Sequence, residues 1–138
     1  MSQFLDPLDI EEITDDSDSL FKIIDHPFRY QSDLFGLITV PLNFPTDFES
    51  MPRYLPLLSD LLQHVTNEAA CVHDWLYYSA ITDRPTSDKI LYEAMGVTGV
   101  PQIKRDLIYN GLILGGWKAW DDHRKAGHSA KDFETSNT

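Results

Sequence analysis

His73 and Asp74 stand side by side in an otherwise apolar stretch, Ala70-Cys71-Val72-His73-Asp74-Trp75-Leu76-Tyr77. On a helix, Ala70, His73 and Tyr77 share one stripe with Asp74 beside it. An imidazole, a carboxylate and a phenol therefore leave in nearly one direction. Upstream, Thr46 and Asp47 open a Pro-rich segment that also carries Ser50 and Arg53, and downstream stand Arg84 and Asp88. Asp47, His73, Asp74 and Asp88 make a set of hard oxygen donors with one imidazole. That set suits calcium, magnesium, manganese or, less well, zinc, so a divalent metal is the cofactor these residue types would accept. Without a metal, His73 is a candidate general base oriented by a carboxylate. Thr46, Ser50, Arg53, Tyr77 and Arg84 are the supporting candidates.

Each candidate has a structural alternative. A histidine satisfied by a carboxylate is common in proteins that catalyse nothing. Asp47 after Thr46 fits a turn or cap, because Asx side chains bond the nearby backbone. Arg53 and Arg84 fit as ion-pair partners of Asp74 or Asp88. Ser50 lacks Gly-x-Ser-x-Gly surroundings and reads more simply as a cap. Cys71 lies on a different helix face from His73, which disfavours a thiol–imidazole pair.

The elements that must hold these residues follow from pattern. Leu20–Ile24, Phe28–Tyr30 and Leu37–Val40 are short apolar runs separated by turn residues, and they predict two or three strands in a small antiparallel sheet. Pro41, Pro45, Pro52 and Pro56 make the next stretch a loop. Leu58, Leu61, Leu62 and Val65 have helical spacing. Thr66 is positioned to cap a helix from Asn67 to about Tyr78. Thr86 or Ser87 is positioned to cap the next one, placing Asp88 in its first turn and Gly96 at its end. Pro101 starts a long helix to about Ala126, with Ile103, Leu107, Ile108, Gly111, Leu114 and Gly115 at core spacing and the two glycines allowing a close neighbour. Strands first and helices after predict an α+β domain over residues 20–127, a small sheet packed against three to four helices with the last one long. An acidic arm (1–19) precedes it and a polar tail (128–138) follows.

With 138 residues, 42% of them hydrophobic, the chain has the length and composition of one globular domain. Its net charge of −11 is concentrated at the start, where residues 1–20 carry seven carboxylates and no Lys or Arg. Such a field repels phosphate backbones, so nucleic acid is not an expected partner. The single cysteine excludes an intrachain disulfide and fits a reducing cytoplasm. No signal-peptide pattern opens the sequence. Leu107–Trp120, the longest apolar stretch, is interrupted by Asn110 and Lys118 and falls short of the about 20 residues a span requires. A soluble protein with no membrane span is expected.

The string His73-Asp74-Trp75-Leu76-Tyr77 is similar to the His-Asp-x-x-Tyr helix of secreted phospholipases A2, in which the His is the base and the Asp binds calcium. The disulfides and Gly-rich calcium loop of those enzymes are missing here. The metal phosphohydrolases named for their His-Asp pair need an earlier His ligand, and neither His26 nor His64 has its spacing. A closer match comes from Val40-Pro41 with Phe44, Thr46-Asp47-Phe48, Ser50, Pro52-Arg53, His73-Asp74, Leu76-Tyr77, Arg84 and Asp88. Over roughly residues 20–120 this pattern resembles a family of small uncharacterised proteins of tailed bacteriophages and prophages, from which it departs locally at Glu49-Ser50-Met51. The resemblance implies a phage origin and makes the polar constellation a family feature. It carries no established activity.

Two readings follow. One is a virion or assembly component, of the tail or baseplate, with other phage structural proteins as partners, located in the virion or the host cytoplasm; its His-Asp cluster is a buried keystone. The other is a small metal-assisted hydrolase of a lipid, peptide or cell-wall bond, with His73 as base. Burial separates them: a dry, satisfied cluster favours the first, an open pocket with spare lone pairs the second.

Overall fold

A computed structural model describes residues 1–14, 19–46 and 65–137. Among the described residues six short strands come first: β1 Gln3–Phe4, β2 Ile10–Thr14, β3 Ser19–Ile23, β4 Phe28–Ser32, β5 Gly36–Val40 and β6 Pro45–Thr46. Four described helices follow: α1 Asn67–Ser79, α2 Arg84–Val97, α3 Gln102–Gly115 and α4 Trp117–Ala126, before a 3-10 helix at Ala130–Asn137. The fold is α+β, as the order of patterns predicts.

The three apolar runs are strands, but they do not share one sheet. β4 and β5 pair in register Phe28↔Val40 and Tyr30↔Ile38 in a sheet of order β1-β4-β5, while β3 lies in a second antiparallel sheet of order β2-β3-β6. The cause is the connection between them. Asp25 adopts a left-handed backbone (φ 71) and Pro27 offers no N–H, so β4 cannot fold back along β3. Within the first sheet, Phe28, Tyr30, Ser32, Ile38 and Val40 alternate inward and are buried. Ser32 Oγ accepts from the N–H groups of Leu34 and Phe35 and fixes the turn, which Gly36 completes at φ 106.

The acidic segment expected to be a solvated arm is instead built into both sheets. Phe4 packs on the rings of Phe28 and Tyr30, and Leu8 and Ile10 rest against the core. Asp6 receives both Nε and Nη2 of Arg29 at 2.8 and 2.9 Å, and Asp9 meets His26 at 2.9 Å. Asp6 and Asp9 thus have hydrogen-bonding partners in β4 and in the turn before it, and the apolar residues between them supply the packing. The C-terminal segment, expected as a polar tail, is likewise packed. Phe133 stands edge-on to Phe44, Trp75 and Tyr78 at 5.6–5.8 Å.

Thr66 caps α1 as predicted, accepting from Ala69 N–H. α2 starts earlier than expected, because Asp83 rather than Thr86 or Ser87 is the cap, accepting from Thr86 N–H at 2.8 Å. Pro85 fits that first turn, where its missing N–H costs nothing. Asp88 therefore lies in the second turn, facing inward. The helix runs past Gly96 to Val97, and Gly99 (φ 88) makes the turn.

The central helix is α1, not the long C-terminal one. Ten of its thirteen residues are buried, against Ile108, Gly111 and Leu112 in α3 and none in α4. Ile103, Leu107 and Leu114, which have core spacing, are exposed. The helix carries two apolar stripes on opposite faces, and the one centred on Ile108 and Leu112 packs inward. The predicted single long helix is divided at Gly116. The apolar segment Leu57–Leu62 and the site candidates Asp47, Ser50 and Arg53 lie outside the described residues.

Candidate functional site

α1 and α2 pack against each other and bring His73, Tyr77 and Asp88 together. His73 Nε2 lies 2.9 Å from Asp88 Oδ1, and Tyr77 Oη donates to the same oxygen at 2.6 Å. His73 and Tyr77 follow one another at the i, i+4 spacing of one stripe, with ring centroids 4.3 Å apart. His73 and Tyr77 are 0% exposed and Asp88 2%. A carboxylate only accepts, so Nε2 carries a proton in this contact. The other ring nitrogen, Nδ1, is buried and has no hydrogen-bond partner among the described residues.

Asp74, on the adjoining face of α1, accepts a hydrogen bond from Thr46 Oγ1. Thr46 is buried and ends β6, so this bond ties the last strand to the central helix. The sequence-derived set thus divides into two groups: His73–Tyr77–Asp88 at the α1–α2 contact and Thr46–Asp74 at the β6–α1 contact. Arg84 does not pair with Asp74 or Asp88. Its Nη1 donates to the carbonyl of Leu112 in α3 at 3.1 Å, close beside the Tyr77 hydroxyl. Burial, reinforced by the Asp88 carboxylate, pushes the Tyr77 phenol well above its ordinary range. Tyr77 is thereby held as a neutral hydrogen-bond donor.

Several participants have no local sequence signal. Gly116 faces Tyr77 so closely that a Cβ there would lie 2.6 Å from Oη and 2.8 Å from the Leu112 carbonyl oxygen. Trp120 stands edge-on to Tyr77 at 5.3 Å. Arg124 Nη2 donates to the carbonyls of Tyr77 and Tyr78 at 2.8 and 2.6 Å, satisfying the C-terminal end of α1. These contacts cross between helices, so spacing cannot reveal them. The adjacent glycines Gly115-Gly116 were the one available hint, and a close approach is seen at Gly116. Cys71 is also buried, and burial pushes its thiol up, so it is a packing residue without nucleophilic character.

Among the described residues no group of three or more His, Cys, Asp or Glu side chains could hold a metal ion. What the cluster does chemically is fix the orientation of one imidazole by its Nε2 contact, with Nδ1 turned into the interior. No helix among the described residues is long and apolar enough to cross a membrane.

Fold and site together define a small α+β protein built around an inward-facing His–Asp–Tyr cluster. The chain belongs to the family described as "Protein of unknown function (DUF1353)", which matches residues 22–112. That span includes Thr46, His73, Asp74, Tyr77, Arg84 and Asp88, and it ends before Gly116, Trp120 and Arg124. No curated protein and no solved structure matches the chain.

Proposed function

We propose that this protein is a bacteriophage virion or assembly component, associated with the tail or baseplate, in which the His73–Asp88–Tyr77 cluster is a structural keystone. The observation that carries this reading is the dryness of the cluster: His73 and Tyr77 are 0% exposed and the carboxylate between them 2%. A substrate bond has no route to groups this enclosed, whereas a polar triad joining two helices specifies how they dock. The phage assignment is supported by the motif resemblance. The assembly role has further support in Ile103, Leu114 and Trp117, which are 53–77% exposed, since apolar rows of this kind mark contact surfaces. Thermal unfolding of His73→Ala tests the keystone role. It should melt below wild type, because Asp88 loses a partner, and a variant at least as stable as wild type overturns it.

A second reading, a small metal-assisted hydrolase of a lipid, peptide or cell-wall bond, is favoured by His73 Nδ1, which has no hydrogen-bond partner among the described residues. An imidazole held by a carboxylate at one nitrogen, with the other open to a proton, has the form of an oriented base. Turnover of purified peptidoglycan or a chromogenic ester by wild type, lost in a His73→Ala protein of unchanged stability, would select this reading over the first.

A further inference from the structure

A pair of histidines, remote from His73 in the sequence, has no part in either reading. His123 lies in the last turn of α4 and His128 follows the turn at Gly127, and their Nδ1 atoms lie 2.8 Å apart. We infer that His123 and His128 form a binding site for a divalent transition-metal cation of the zinc, nickel or copper class.

The geometry is the first argument. Metal–imidazole bonds of about 2.0–2.1 Å set two ligands at right angles about 2.9 Å apart, and tetrahedral ligands about 3.4 Å apart. The observed separation meets the first arrangement and needs only a small spreading for the second. Both rings contribute Nδ1, the same donor atom, to the contact. Local backbone and packing hold them there. Gly127 takes a left-handed conformation (φ 76), and His128 N–H returns to the His123 carbonyl at 3.1 Å. Tyr78 stacks on His128 at 4.3 Å with rings 13° from parallel, and lies across His123 at 5.7 Å. Arg124 Nη2 also reaches the His128 carbonyl at 3.3 Å.

Both histidines are half-buried, and water would complete the coordination of a bound cation. Imidazole donors favour zinc, nickel and copper over calcium and magnesium. Without the cation, one Nδ1–H donates to the other Nδ1 lone pair. Binding a cation requires that this Nδ1 proton be displaced, so that both Nδ1 lone pairs face the metal. With two protein ligands, affinity should be micromolar rather than nanomolar. The cation would clamp the turn that leads into the 3-10 helix carrying Phe133, and so strengthen its seat on α1.

Titration of chelator-stripped full-length protein with zinc chloride and nickel chloride, followed by calorimetry, tests the site. One saturable site per chain and a raised melting temperature are expected. His123→Ala and His128→Ala should each weaken binding roughly tenfold or more. His26→Ala, which removes an unrelated histidine paired with Asp9, should leave it unchanged. Long-range proton–nitrogen spectra of wild type, in which Nδ1 of two imidazoles should shift on adding zinc, do not depend on any variant folding. No saturable binding, affinity that survives His123→Ala in a folded variant, or spectra in which neither Nδ1 moves would each overturn the inference.

Discussion

His73 on α1 and Asp88 on α2 meet at 2.9 Å inside the protein, and Tyr77 places its hydroxyl on the same carboxylate oxygen. One acceptor therefore satisfies two buried donors from the neighbouring helix.

Removing that acceptor should cost more than removing either donor. Asp88→Ala leaves the His73 Nε2–H and the Tyr77 hydroxyl unpaired in a dry site, at about 1–3 kcal/mol for each group. Asp88→Asn keeps a carbonyl oxygen for one of them and should lose less. Urea denaturation of the two variants beside wild type checks the order. Equal midpoints for Asp88→Ala and wild type would mean that the cluster contributes nothing to stability.

Glycine substitutions should separate by position. Gly116→Ala drives a Cβ against Tyr77 Oη and the Leu112 carbonyl, and should destabilise by about 1–3 kcal/mol through overpacking. At Gly96 the nearest atom is Arg105 Nη1 at 3.0 Å, the end of a flexible side chain. Gly96→Ala should therefore be neutral, or gain up to the roughly 0.5–1 kcal/mol by which alanine exceeds glycine in a helix. Calorimetric melting of the pair tests this, and similar losses at both sites would refute it.

Alkali should unfold the protein through its buried phenols. Burial raises Tyr30 and Tyr77 well above their ordinary value, and Tyr78 is pushed up to about 12. In the unfolded chain these groups lose their protons near pH 10, so above that the unfolded state binds fewer protons than the folded one. Their contribution is complete below pH 10 and is lost as pH climbs toward and past 12. A spectrophotometric phenolate titration should show Tyr30 and Tyr77 ionising only as the fold is lost. Free ionisation of all six tyrosines in a still-folded protein would contradict this.

Cys71 should be inert until the protein opens. It is 0% exposed, and burial holds its thiol in the protonated, unreactive form. A thiol reagent such as Ellman's disulfide should label it at the rate of unfolding, and denaturant should raise that rate steeply. Immediate labelling of native protein would show a thiol outside the core.

By itself, the sequence determined the features that depend on neighbours along the chain. Alternation in Phe28–Ser32 and Gly36–Val40 made a hairpin, because one sheet face must be apolar. Thr66 marked the start of α1, because a hydroxyl there satisfies a free N–H. The stripe of His73 and Tyr77 was legible from helical spacing, and Asp88 was picked out by residue type as a carboxylate that could join His73 in one set. Other features were decided only when the elements packed. Nothing local distinguishes the two apolar faces of α3, so Ile103 and Leu114 had the pattern of core residues while Ile108 and Leu112 occupied the core. The acidic start became strands because Arg29 and His26, distant in sequence, supplied partners for Asp6 and Asp9. Asp88 met His73, and Gly116 admitted Tyr77, only through the packing of helices against one another. That packing depends on side-chain shape and burial across the whole domain, which no spacing rule along the chain records.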